Sequence, residues 1–424
     1  MRRVLAGLTT RGRCLLAAGI AAAVCSLVLD ERDLLRVAVF LVTLPMLATA
    51  LAAGSQVRLA AGRALLPARV PVGTGAEVRL EVRGGGRLPA GGLLLEDGVP
   101  YALGGRPRFV VERLPRNEAA VLVYPLQPVQ RGVHHVGPLL ARVTDPFGLA
   151  EFERELAGHS RLVVVPRVVP LSGVPTGSGL GAGEDGSLRM RSGQGEDDAV
   201  VRPWRQGDDM RKVHWRSTAR RDELMVRVEE RPWRGGTTVL LDHRSAAHRG
   251  SGPTSSLEWA VSFTASVCLH LQRHGHDVRL VTETGSVLAG TSAHGGHVGD
   301  VVLDALAGLN PSHGRDMACG SDPGGGHELV AVLGATTPAA AAELIRWRPR
   351  GARSLAVLLD VAGWATHGEE KAPAPDEAAH LLRGAGWRVA LVRPETGMAA
   401  AWRELCRPGA VSPEMAASQD GRVG

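Results

Sequence analysis

Two apolar runs open the chain. Cys14–Leu29 is uninterrupted, and Leu34–Ala53 is broken only by Arg36 near its start. The charged stretch Asp30-Glu31-Arg32-Asp33 separates them. At a helical rise of about 1.5 Å per residue, each run approaches the length needed to cross a hydrocarbon core of about 30 Å. The pattern therefore predicts a transmembrane helical hairpin within residues 1–58. Pro45 is tolerated in such a helix, where it can introduce a kink.

Beyond the hairpin the period changes. Leu59–Ala68 mixes small and apolar residues and is read as a short helix leaving the membrane. Ala76–Arg83 then alternates strictly, and Leu93–Leu95, Arg108–Glu112, Ala119–Pro125, Val136–Val143 and Leu162–Val165 follow as short strands between Gly/Pro clusters. That punctuation predicts a β-sandwich-like module over residues 69–166. Asp145-Pro146-Phe147-Gly148 reads as a turn, with Phe147 as a core anchor. His134 and His135 are adjacent, so on a strand they face opposite ways and make poor co-ligands.

Pro166, Pro170 and Pro175 end the strand pattern, and residues 167–192 read as an exposed Gly/Ser/Pro linker. Gly181–Gly186 matches G-x-G-x-x-G, but no strand leads into it and no apolar helix opens from it, so the phosphate-cradling geometry is missing. From Thr237 the pattern becomes buried strand, helix, buried strand. Thr237–Asp242, Asp277–Thr282, His327–Leu333, Ser354–Asp360 and Trp387–Val392 are apolar runs, separated by helical spacings at Ser255–His274, Val298–Leu309, Pro338–Trp347 and Asp376–Ala385. Continuous apolar strands suit a sheet covered on both faces. The alternation predicts a doubly wound parallel sheet over residues 235–410, with 411–424 as a disordered tail. The fold class is thus α+β multidomain: helical hairpin, β-sandwich-like module, α/β sheet.

Charge adds a topology. Arg2, Arg3, Arg11 and Arg13 precede the first run, and Arg58, Arg63 and Arg69 follow the second, while the connecting turn is acidic. The positive-inside rule puts both termini and the bulk of the chain in the cytoplasm. A cleaved secretory signal is the competing reading; it needs one apolar run and leaves the second unexplained. The chain of 424 residues is 44% hydrophobic but only 4% aromatic, with a formal charge of +6 carried almost entirely by arginine. This balance fits an anionic membrane surface without specifying it. The five cysteines, Cys14, Cys25, Cys268, Cys319 and Cys406, form no CxxC pair and suggest a reducing compartment rather than a disulfide or zinc framework.

Residues 193–234 interleave arginine, acid and tryptophan: GQGEDDAVVRPWRQGDDMRKVHWRSTARRDELMVRVEERPWR. Mixed signs favour a network of ion pairs over a solvated tail. Asp209 can cap a helix starting near Met210, Arg211 and Trp215 share a face at spacing four, and Leu224–Val228 reads as a strand. Arg220 and Arg227 can pair with Asp208, Asp209, Glu229 or Glu230. Trp stacking and Arg–phosphate contacts would suit nucleic acid, but acids fill the same stretch, so no nucleic acid is expected.

This segment resembles the bacterial domain of unknown function 58 family. The match is carried by Glu196, Arg202, Gly207, Asp208, Asp209, Arg211, His214, Trp215, Ala219, Arg220, Leu224, Val226, Arg227 and Glu229. The family has a tyrosine near Trp204 and Ile-Asp-Trp where this chain has Val-His-Trp. RGVHHVGP and VTDPFGL, together with the hairpin, extend the resemblance over most of the chain. It implies a membrane-anchored protein of the bacterial inner membrane with a von Willebrand A-like final domain, and a MoxR-type AAA+ ATPase as partner beside the lipid bilayer. In von Willebrand A domains an Asp-x-Ser-x-Ser run helps hold a divalent cation. Here the matching positions are Asp242, Arg244 and Ala246: arginine brings a positive charge and no lone pair, so no metal is expected. Asp242 pairing with Arg244, or with an arginine of the 193–234 segment, is the substitute.

No G-K-[ST], G-x-S-x-G or H-E-x-x-H occurs, and no cofactor is implied. The sequence favours a noncatalytic membrane-tethered scaffold whose interaction network runs through Glu196, Arg202, Trp204, Asp208, Asp209, Arg211, His214, Trp215, Arg220, Arg227 and Glu229. An enzyme with a site between Asp242 and residues 208–220, using Asp208, Asp209, His214 and Arg220, is the alternative. A nucleic-acid-binding protein is the third reading.

Overall fold

The structure is a computed structural model, described for residues 7–54, 58–85, 93–111, 119–145, 147–175, 201–203, 220, 225–227, 236–290, 298–317, 319–325, 327–349 and 352–407. It divides into two compact units, residues 1–166 and 167–424.

The first unit begins with helices α1 (Thr10–Leu29) and α2 (Arg32–Gly54). Both are long and apolar enough to cross a membrane. Thr9 caps α1 by accepting the Gly12 N–H, and Asp30 ends it in the left-handed region at φ 53°. Gly19 permits close approach of the helices: a Cβ there would stand 2.8 Å from Val42 Cγ2.

Among the described residues ten strands follow: β1 (Arg58–Leu66), β2 (Arg69–Pro71), β3 (Ala76–Gly85), β4 (Leu93–Asp97), β5 (Arg108–Val111), β6 (Ala119–Leu126), β7 (Gly132–Val136), β8 (Leu139–Thr144), β9 (Glu151–Ala157) and β10 (Ser160–Val165). They form sheets ordered β1-β3-β6, β5-β4-β8-β9 and β2-β10-β7. Val78 and Leu80 of β3, Leu93 and Leu95 of β4, Leu139 of β8 and Leu162 of β10 meet in one apolar core, giving the β-sandwich-like module.

Two expectations are corrected here. Leu59–Ala68 is strand rather than helix, with β1 antiparallel to β3 from Arg58↔Gly85 to Leu66↔Glu77. Leu59, Ala61 and Leu65 alternate toward the core, and the small residues between them fit either period. Phe147 is no core anchor: it is 64% exposed, while its neighbour Leu149 is buried. Within the sandwich, Arg63 and Asp97 form an ion pair whose side chains are only 1% and 0% exposed. Arg63 Nε also donates to Asp97 Oδ2 at 3.1 Å, and the Tyr124 hydroxyl donates to the same oxygen at 2.6 Å. Burial, then the Asp97 carboxylate, pushes the Tyr124 phenol well above its ordinary range.

The second unit has a short antiparallel pair, β11 (Val201–Pro203) with β12 (Met225–Arg227). A six-stranded sheet follows: β13 (Gly236–Leu241), β14 (Asp277–Thr282), β15 (Val287–Ala289), β16 (Glu328–Leu333), β17 (Ser354–Leu359) and β18 (Arg388–Val392). Its order is β15-β14-β13-β16-β17-β18. All neighbours are parallel except the edge strand β15, which the hydrophobic pattern did not reveal. Helices α3 (Ser256–Arg273), α4 (Val298–Ala307) and α7 (Met398–Cys406) cover one face, and α5 (Pro338–Trp347) and α6 (Asp376–Gly384) the other. Phe263 and Trp402 are fully buried on the first face, and Trp387 lies on the second. The α/β sheet is therefore doubly wound, as the alternating pattern implied.

The expected linker is corrected in part. Residues 167–175 lie along the α3/α7 face: Val168, Leu171 and Val174 pack on the core, Val169 N donates to Ser266 Oγ at 2.9 Å, and Gly173 O accepts from His270 Nε2 and Trp402 Nε1. Three prolines remove donors without preventing an extended strap. Residues 176–192 and the tail 411–424 lie outside the described residues. His270 is buried against this strap.

Candidate functional site

Strand β13 is apolar through Leu241 and delivers Asp242 to the carboxyl end of the sheet. The strand order runs from β13 to β14 on one side and then to β16 on the other, which makes the crevice between β13 and β16 the place where open α/β sheets hold ligands. Asp242 is fully buried. Its N–H donates to Val332 O of β16 at 2.9 Å, so the backbone fixes the carboxylate's position.

That carboxylate is engaged internally. Arg244 Nε donates to Oδ1 at 2.9 Å, Arg244 Nη2 to Oδ2 at 2.8 Å, and the Arg244 N–H to Oδ1 at 3.2 Å. This is a bidentate, charge-assisted pair. The third guanidinium nitrogen, Nη1, donates to Arg315 O at 2.7 Å. Burial pulls the guanidinium's pKa down, but hydrogen bonding and charge from Asp242, then Glu283 and Asp316, raise it above the ordinary arginine value. A divalent cation needs the oxygen lone pairs that Arg244 occupies and would face its positive charge, so the residues at 242, 244 and 246 do not fit one. Ala246 is exposed and supplies no oxygen from its side chain.

A second pair sits beside the first. Glu283 directly follows β14, as Asp242 follows β13. Its Oε2 meets His243 Nδ1 at 2.5 Å, and its Oε1 accepts from Ser312 Oγ at 2.9 Å. Burial alone would raise the Glu283 pKa, but the His243 hydrogen bond and charge, with Ser312, lower it to about 2. The loops are stitched by Ser245 N to Ser312 O at 2.8 Å and Ser312 N to His243 O at 2.9 Å. On the β16 side, Ala335 N donates to Ala247 O at 2.7 Å. A Cβ at Gly334 would collide with that carbonyl, so glycine is required for the closure.

His248 completes the arrangement. Its Nε2 donates to Asp242 O at 2.8 Å, and its Nδ1 faces Ser256 Oγ at 3.1 Å. Burial holds this imidazole below its ordinary range. The folded state keeps His248 neutral at a pH where the unfolded chain takes up a proton. Its contribution is complete above about pH 6.5 and declines as pH falls toward the depressed folded value. We expect the urea-midpoint advantage of wild type over His248→Gln to shrink between about pH 7 and about pH 5. A difference that stays constant over that range would refute the assignment.

Of the sequence-derived site residues, the structure brings together Asp242 and Arg244. Arg202 and Arg227 lie on the β11/β12 pair, in the register Arg202↔Val226 and Val201↔Arg227, and Arg220 is exposed. Glu196, Trp204, Asp208, Asp209, Arg211, His214, Trp215 and Glu229 lie outside the described residues. Sequence reading passed over His243, His248, Ser256, Glu283, Ser312 and Arg315. One signal was available: an acid closes each of the adjacent strands β13 and β14.

The family model described as "Protein of unknown function DUF58" matches residues 200–323, and the chain carries a DUF58 family domain there. No curated protein matches the chain. Among solved structures, the CARDB domain of a Pyrococcus furiosus protein, in complex with di-metal ions, is 19% identical over 26% of this chain and 89% of its own, with a TM-score of 0.19. Cwp6 from Clostridium difficile is 9% identical over 80% of this chain and 37% of its own, with a TM-score of 0.17. Both scores are too low to carry an argument about site or mechanism.

Proposed function

We propose that this protein is a noncatalytic scaffold, held at the inner membrane by α1 and α2, that presents a cytoplasmic surface to a MoxR-type AAA+ ATPase. The mutual Asp242–Arg244 pair carries this reading. At the carboxyl end of β13, where a doubly wound sheet would hold its ligand, both carboxylate oxygens are bound by the chain itself. Glu283 is likewise shared between His243 and Ser312, and Ser256, which meets His248 Nδ1, is buried. The two apolar helices and the arginines flanking them support the anchored topology. The ATPase rests on resemblance alone. Tethering would raise the local concentration of whatever partner is recruited.

An enzyme is the competing reading. It draws on the Glu283–His243 pair, since a buried acid holding one imidazole nitrogen is how a general base is oriented.

Two experiments test the scaffold's partner and topology. Affinity purification of the full chain from detergent-solubilised native membranes is expected to recover an AAA+ ATPase, with recovery reduced in Asp209→Ala and Arg220→Ala. Repeated recovery of no ATPase removes the partner. Protease added to intact cells is expected to leave the two folded units uncut; digestion of both from outside removes the topology.

A further inference from the structure

We propose that the loop around Phe147 is a third membrane contact, a small wedge seated in the interfacial layer of the bilayer beside α1 and α2. The inference rests on those helices crossing the membrane.

Length supplies the first reason. The 20 residues of α1 extend about 30 Å, roughly the hydrocarbon thickness. Yet Leu15 and Leu44 pack against the cluster of Ala48, Leu149 and Ala150. Leu15 is five residues into the helix, about 7 Å along its axis. Leu44 lies ten residues before the end of α2, about 15 Å from it. A bilayer that covers all of α1 therefore reaches the end of the sandwich that holds this loop.

Direct bonding fixes the loop to the helix start. Thr9 N donates to Leu149 O at 2.9 Å, and Thr9 Oγ1 donates to Gly148 O at 2.7 Å. A Cβ at Gly12 would collide with the Leu149 carbonyl, so the helix and loop touch backbone to backbone.

The loop is also chemically suited to a medium poor in water. Phe147 N donates to Asp145 Oδ2 at 2.9 Å, Leu149 N and Ala150 N both donate to Asp145 Oδ1, and Gly148 N donates to Asp145 O at 3.0 Å. Every N–H from Phe147 to Ala150 is satisfied within the protein, as non-helical backbone near lipid requires. The phenyl ring nevertheless points outward, 64% exposed. Arg11 and Arg13 are exposed on the first turn of α1, where their heads can reach lipid phosphates while their stems lie along apolar surface. Exposed phenylalanine, internally closed backbone and flanking arginine together describe an interfacial anchor.

The test places p-benzoylphenylalanine, one site at a time, at Phe147, Phe40 and Tyr101 of the full chain. Each variant is reconstituted in vesicles of phosphatidylethanolamine and phosphatidylglycerol and irradiated. Phe40 is exposed on α2 and reports helix insertion. Tyr101 is 96% exposed and follows the Asp97 end of β4, opposite the end that pairs with Val143 near the loop. Lipid adducts are expected at 147 and 40 and not at 101. An adduct at 40 without one at 147 overturns the wedge and leaves the helices in the membrane. No adduct at 40 overturns the membrane reading and the wedge with it. Crosslinking of 147 to protein, or equal lipid labelling at 101, also overturns the wedge. Bromolipid quenching of the added fluorescence in Phe147→Trp gives an independent readout: its presence supports the wedge, and its absence rejects it.

Discussion

Asp97→Ala is expected to remove about 3–5 kcal/mol from the stability of the sandwich. The substitution leaves the Arg63 guanidinium inside the protein without its counter-charge. It also removes the acceptor of the Tyr124 hydroxyl. The remaining acceptors of Arg63 Nη1 are Val136 O, Gly158 O and Ser160 Oγ, none of which carries a net charge. Urea titration followed by far-ultraviolet circular dichroism would show the loss as an early transition in the first unit, which holds none of the eight tryptophans. Replacing the whole group together, Arg63→Met with Asp97→Leu and Tyr124→Phe, is expected to recover most of it, because no buried charge is left unpaired. Unchanged stability in Asp97→Ala alone would mean that the pair is solvated in solution.

A loss of similar size, about 3–5 kcal/mol, is expected for Asp242→Ala in the second unit. Here Arg244 is left with a single backbone acceptor, Arg315 O. The Asp242 backbone carbonyl survives, so the His248 bond is retained and the deficit reports the ion pair itself. The reciprocal Arg244→Ala strands the carboxylate and is expected to cost about as much. Denaturation midpoints for both singles and the double would give the coupling directly. Near-additive losses would show two independent contributions and contradict the bidentate geometry. In the noncatalytic reading, partner recovery from each variant should track the folded fraction.

Much of this architecture was legible because burial leaves long apolar runs. Strands β13, β14, β16, β17 and β18 each announce themselves that way, and the two apolar runs foretold the helical hairpin. Asp242 and Arg244 are two residues apart, so their pairing was within reach of sequence reasoning. His243 and Glu283 are 40 residues apart and meet only because β13 and β14 are sheet neighbours. Arg63 shows the opposite failure. Counted with the flanking arginines, it looks like a solvent-facing charge; its partner Asp97 lies 34 residues away and becomes visible only through the packing of β1 against β4. Leu59–Ala68 was ambiguous because alanine and glycine fit both a helical and an alternating pattern. Phe147 was misplaced because a rare aromatic is ordinarily a core residue, and nothing local says that Leu149 takes that role.

The strap at residues 167–175 sets where this chain can be cut. His270 and Trp402 both direct ring N–H groups at Gly173 O, and Ser266 accepts from Val169. A fragment beginning at β13 would take the carbonyl acceptor from two ring donors and bare the apolar flank of α3 and α7. Excising the α/β part for biophysics should therefore start at or before Arg167, and a version trimmed to residue 236 should precipitate where the longer one stays in solution.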